Sequence, residues 1–172
     1  MKICVMSDSH EHTENIRAVF NAMLKEMVDC FVHLGDDYSD TESFSFHFRV
    51  PGVYDDEYAQ HGLKHRLVHN FDHIKTLITH TERSHINDFF SDIKPEEMRL
   101  KKEIDMIWYG HSHEYAIRQE NGIVLINPGH LKPNDKKGFP PTYALIEING
   151  RHIKAKIIGL NNEIKIEKEF QL

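Results

Sequence analysis

Four short clusters of ligand-type side chains interrupt the chain: Asp8-Ser9-His10, Gly35-Asp36-Asp37, Thr79-His80 and His111-Ser112-His113. On extended backbone, side chains at i and i+2 point the same way, so Asp8 with His10, and His111 with His113, can reach for a common ion. Carboxylate can bridge two cations, and imidazole fills the remaining positions with borderline-soft nitrogen. Two divalent ions about 3.5–4 Å apart can share a hydroxide and clamp both oxygens of an in-line displacement at phosphorus. Singly, each cluster is weak, because a histidine at a strand end is more often a hydrogen-bonded structural residue than a ligand. Their common placement changes that.

Each cluster follows an apolar run. Ile3 to Met6 reads as a buried strand ending at Ser7-Asp8, and Cys30 to Leu34 as a second one stopped by Gly35-Asp36-Asp37. Between them Ile16, Val19, Phe20, Met23, Leu24 and Met27 recur at helical spacing behind Thr13, a capping residue. Strand, helix and strand imply a right-handed parallel crossover, which puts both carboxylate clusters on one sheet edge. Further strands are expected at Phe46 to Val50, Leu67 to His69, Ile74 to Thr79 and Met106 to Tyr109. The pattern predicts helices over Ser84 to Ile93 and from Pro95 to about Glu103. The last third is different: hairpin signals at Asn121-Gly122, Asn149-Gly150 and Asn161-Asn162 separate Ile123 to Ile126, Tyr143 to Ile148, His152 to Leu160 and Glu163 to Phe170. A βα half followed by a β-meander predicts an α/β fold with two packed sheets and helices outside. With no linker or repeat, residues 1–172 read as one domain.

Composition narrows the partners. A net charge of −6 argues against non-specific binding to nucleic acid or anionic membrane. Between Asp29 and Glu57, eight acids face only Arg49, so the negative excess is local. Two cysteines, Cys4 and Cys30, sit in apolar runs and read as reduced buried thiols. No apolar stretch matches a signal peptide or a membrane span, which gives a cytoplasmic expectation. His61, His65, His69 and His73 recur every four residues, but Gly62, Asn70 and the strand signal at Arg66-Leu67-Val68 disfavour a zinc-binding helix there.

In order, Asp8-x-His10, Gly35-Asp36, Thr79-His80, Gly110-His111-x-His113 and Ile126-Asn127-Pro128-Gly129 resemble the calcineurin-like metallophosphoesterases, most closely their small prokaryotic phosphodiesterase branch. The resemblance implies two mixed β-sheets packed as a sandwich with flanking helices. It implies that Asp8, His10 and His113 hold one divalent metal, His80 and His111 the other, and that Asp36 bridges them. Manganese is the expected ion, with nickel, zinc, iron and magnesium as alternatives. The implied activity is a metal-dependent phosphoesterase that favours phosphodiesters, its nucleophile a bridging hydroxide and its partner a phosphate-ester substrate; a homo-oligomer is compatible with it. His130 after Pro128-Gly129 is a candidate phosphate contact, set against an exposed loop histidine. Three positions depart from the family pattern: Thr81 replaces the usual Gly, His130 follows Pro-Gly where a small polar residue is common, and Val53 stands where an Asn normally binds the second metal. Valine offers no donor atom, so either that site is weaker, or Tyr54, Asp55 or Asp56 substitutes, or catalysis is impaired. The rival expectation is a catalytically weak or inactive scaffold of the same fold that binds a protein partner.

Overall fold

The computed structural model describes residues 1–60 and 62–172, so His61 of the regularly spaced histidines lies outside the described residues. The elements are β1 (Lys2–Met6), α1 (Thr13–Lys25), β2 (Cys30–His33), β3 (Phe48–Arg49), β4 (Arg66–Phe71), β5 (Ile74–Thr79), α2 (Pro95–Leu100), β6 (Met106–Trp108), β7 (Ala116–Glu120), β8 (Ile123–Asn127), β9 (Thr142–Asn149), β10 (His152–Gly159) and β11 (Ile164–Gln171). They form two mixed sheets, one of order β11-β10-β9-β1-β2-β3 and one of order β4-β5-β6-β8-β7. β1 and β2 pair in parallel through the α1 crossover, with Ile3 opposite Cys30 and Met6 opposite His33. β5, β6 and β8 are parallel in the second sheet. No helix among the described residues is long and apolar enough to cross a membrane.

Continuous apolar strands arise because each sheet is covered on both faces. Ile3 and Val5 of β1 face the second sheet, meeting Ile78, Trp108 and Ile126 in the inter-sheet core. Their alternates, Cys4 and Met6, face α1 and pack with Ile16, Val19 and Met23. Burying those three helix residues stabilises the layer by roughly 1.5–3 kcal/mol each. β6 repeats the scheme, with Met106 and Trp108 inward and Ile107 outward, in a cluster that Met98 of α2 also packs against.

Several boundaries differ from expectation. Thr13 is the first helical residue, and His12 takes the cap position without a side-chain cap bond. β3 is two residues long, α2 stops at Leu100, and β7 supplies the unanticipated first arm of the Asn121-Gly122 hairpin. The largest difference is the segment 84–93, which forms turns rather than a helix. Ile86 and Phe90 of its expected apolar face are 93% and 98% exposed. The reason is local competition for backbone donors: the Asp88 carboxylate accepts the His85 N–H at 2.9 Å, and Asp92 accepts the Phe89 N–H at 2.7 Å. Both carboxylates also reach across the chain. Asp88 takes Arg66 at 2.8 Å and Asp92 takes buried His65 at 2.7 Å, interactions that a helix in this segment would break.

Candidate metal centre

The parallel strands end on one edge, where the loops of the two sheets meet. The Asp8 N–H donates to Gly35 O at 2.8 Å, Leu131 N–H to Asp8 O at 3.1 Å, and Gly110 N–H to His80 O at 2.9 Å. These crosslinks bring together segments far apart in sequence. Five of the six expected ligands sit at positive φ: Asp8 (55°), His10 (46°), Asp36 (49°), His111 (65°) and His113 (62°). For a non-glycine residue this region costs of order 1–3 kcal/mol, and such strain concentrates at functional sites. Glycine would relax every one of these positions; they carry carboxylate or imidazole instead.

The donors fall into two triads. Asp8, His10 and His113 form one and Asp36, His80 and His111 the other, with the ligand atoms of each within 4.8 Å of one another. Asp36 faces both: Oδ1 is 3.4 Å from His80 Nε2, and Oδ2 is 3.9 Å from His10 Nε2. Its placement depends on Gly52, where a Cβ would lie 1.6 Å from Asp36 Oδ1.

The hydrogen bonds around the triads decide which nitrogens are free. His80 Nδ1–H donates to Leu34 O at 2.8 Å, and His113 Nδ1–H to Asp135 at 2.6 Å, leaving each Nε2 to take up either a proton or a cation. His113 Nε2 then faces His10 Nε2 at 3.1 Å, and His80 Nε2 faces His111 Nδ1 at 3.1 Å. Asp8 Oδ1 and Asp36 Oδ1 are buried beside them without a hydrogen-bond partner among the described residues. Buried acceptors that converge in this way repel one another unless a proton or a cation lies between them. The donor set therefore fits two divalent ions, with Asp36 placed to face both positions.

Protonation equilibria point the same way. Burial opposes charge on His80, but the adjacent Asp36 and Asp8 carboxylates outweigh it and raise its pKa to about 9. Burial likewise resists ionisation of Asp8, yet His113, His80 and Ser7 draw its pKa down to about 2. Asp8 and Asp135 lift His113 above its ordinary value. Burial holds His10 and His111 below theirs. In the absence of a cation, protons on His80 and His113 thus neutralise the carboxylates.

Other residues hold this arrangement in place. Asp8 Oδ2 accepts the Ser7 hydroxyl and the His111 N–H, which leaves Oδ1 for the cluster. Asn127 donates to Gly110 O at 3.1 Å and to Ser112 Oγ at 2.9 Å, tying the turn that carries His111 and His113 to β8. His33, wholly buried, accepts the Gly35 N–H, and burial pushes its pKa down to about 4, so it stays neutral beneath the site.

Asp135 had no sequence signal, being one acid in a lysine-rich loop; its side chain is only 4% exposed. A carboxylate behind a ligand imidazole orients the ring and raises its basicity. Asp135→Asn is expected to weaken metal binding at the Asp8, His10 and His113 triad by about 10–100-fold. Competition against a fluorescent chelator measures this, and unchanged affinity would refute the role.

Two expectations need correction. His130 is not an exposed loop histidine but fully buried, and its nitrogens are taken by Phe139 O and the Lys132 N–H, each at 3.1 Å. Neither nitrogen remains for phosphate, because the chain turns back over the ring. Asp55 does not replace the missing Asn: its carboxylate accepts the Gly52 N–H at 2.7 Å and the Tyr38 N–H at 3.0 Å, and it stands outside both triads. Burial, with Asp36 and Asp37 nearby, raises its pKa to about 6.

Comparison with known proteins identifies the family. Phosphodiesterase MJ0936 of Methanocaldococcus jannaschii is 26% identical over 147 residues, which cover 75% of this chain and 83% of that protein. A predicted phosphoesterase from Streptococcus pneumoniae superposes with a TM-score of 0.73 at 26% identity, covering 99% of this chain and 97% of that one. Vps29 of Entamoeba histolytica, complexed with zinc, shares the fold at a TM-score of 0.68 and 16% identity, with 99% of each chain covered. Residues 1–151 match the calcineurin-like phosphoesterase superfamily domain, and with two Asp/His clusters on the shared strand edge the chain belongs to that superfamily.

Proposed function

We propose that this protein is a divalent-metal-dependent phosphoesterase acting on phosphodiesters. The observation that carries the reading is the pair of triads facing one carboxylate, Asp36, from its two oxygens. When bound, two divalent cations would lower the pKa of a shared water and offset the charge of the phosphoryl oxygens. The residues do the rest. Asp36 sets the spacing of the two positions, Asp135 and Leu34 O select the free nitrogens, and buried Asp8 supplies charge from below. The preference for diesters draws on the likeness to phosphodiesterase MJ0936. Manganese is the proposed ion, since a mixed carboxylate and imidazole set accepts it, and nickel, zinc, iron and magnesium are the competitors.

The test is to strip the protein with a chelator and titrate metals back against bis(p-nitrophenyl) phosphate. Turnover should vanish and return as two equivalents bind. Turnover that survives stripping overturns the mechanism, and stoichiometric loading without turnover on any ester favours the scaffold.

The proton balance adds a prediction. His80 keeps its proton up to about pH 9, so a cation must displace it. Metal affinity should therefore rise with pH, by up to about tenfold per unit below pH 9 from this proton alone, and flatten above. Calorimetry at several pH values, in buffers of different ionisation enthalpy, reads the released proton directly. An affinity independent of pH would remove His80 from the ligand set.

A further inference from the structure

We propose that Tyr54 and His85 form a subsite beside His111 that receives an aromatic ring attached to the substrate phosphate. This deepens the phosphoesterase reading and takes its phosphate position from it. Tyr54 is 71% exposed, yet its ring is held among others: it stands 5.5 Å from His85 at 87° and 6.1 Å from His111 at 39°. His85 lies 6.0 Å from His111 at 67°, closing a three-ring wall on one side of the Asp36, His80 and His111 triad.

The wall is built from two loops that are locked together. Asn87 Nδ2–H donates to Val53 O at 2.9 Å, joining the residue before Tyr54 to the loop that bears His85. The His85 N–H donates to Asp88, whose carboxylate also binds the buried Arg66 at 2.8 Å. The Asn87 N–H donates to His85 Nδ1 at 3.2 Å, which places the neutral ring's proton on Nε2 and fixes its orientation. A large ring presented to solvent by a rigid framework, next to a centre suited to phosphate, matches a stacking platform. Neither ring has a role in holding the triads.

The test uses calorimetry on manganese-loaded protein with methylphosphonate, phenylphosphonate and thymidine 5′-phosphate, none of which requires turnover. Wild type should bind phenylphosphonate about tenfold more tightly than methylphosphonate. Tyr54→Ala should bring that ratio close to one, Tyr54→Phe should keep it, and His85→Ala should reduce it. Tighter binding of thymidine 5′-phosphate than of phenylphosphonate assigns the ring to a nucleobase, and the reverse to a simple aryl group. Equal affinity for the phenyl and methyl compounds in wild type overturns the proposal, as does a preference that survives Tyr54→Ala. A phenyl preference in a protein that hydrolyses no ester leaves the subsite standing and removes the hydrolase reading alone.

Discussion

On the proposed mechanism, Asp36→Asn should lower phosphodiester turnover by on the order of a thousandfold, the equivalent of about 4 kcal/mol of transition-state stabilisation. The amide has nearly the shape of the carboxylate, so packing against Gly52 is preserved. What changes is charge and donor capacity. One oxygen becomes an N–H₂ that repels a cation, and whichever triad it faces loses its shared anion. Metal counting by mass spectrometry should fall from two ions per chain to one or fewer, with the far-ultraviolet circular dichroism unchanged. Retention of both ions and of wild-type turnover would exclude Asp36 as the bridge and dismantle the proposed chemistry.

Gly52→Ala should be almost as damaging, although glycine carries no chemistry. The new methyl carbon would lie 1.6 Å from Asp36 Oδ1 and 2.7 Å from the Asp36 backbone nitrogen. Rotating the carboxylate can relieve the first contact but not the second, and rotation itself destroys the two-sided geometry. Overpacking of this kind typically costs about 1–3 kcal/mol of stability, and here metal loading and activity should fall with it. Gly150→Ala is the control: its φ is 60°, but the added Cβ meets nothing within 4 Å. That variant should lose about 1 kcal/mol from backbone strain and keep full activity. Equal activity in the two variants would show that close packing at Gly52 does not position Asp36.

The acidic stretch illustrates how the sequence separates into functional and structural parts. Of its eight acids only Asp36 joins a triad. Asp55 clamps the Gly52 loop, Asp40 accepts the Glu11 N–H at 2.8 Å, and Asp29 accepts the Lys2 N–H at 2.7 Å. Three of the eight acids thus act as backbone clamps, and two of these, Asp40 and Asp55, hold loops at the strand edge that carries the site.

Alternating strands and helices, parallel crossover, paired sheets and ligand-type residues at strand ends were all legible from residue order. Each follows from short-range physics: apolar runs stopped by polar turns, and parallel strands that share a C-terminal edge. Because Ile3 to Met6 is apolar throughout, its run marked a buried strand but could not say that Cys4 faces α1 while Val5 faces the second sheet. Only the packed structure decided which side chains orient the ligands. Asp135 reaches His113 across 22 residues, and Leu34 O reaches His80 across 46. The same long-range pairing decided the segment 84–93, where Arg66 and His65 bind Asp88 and Asp92 in place of the helix that periodicity predicted. It decided His130 as well, whose imidazole is absorbed by its own loop. Periodicity and motif spacing describe what neighbours along the chain can do. Hydrogen-bond satisfaction of buried polar groups is settled by partners distant in sequence, so the candidate donor residues were written in the sequence, while their tautomers and supporting contacts belong to the fold.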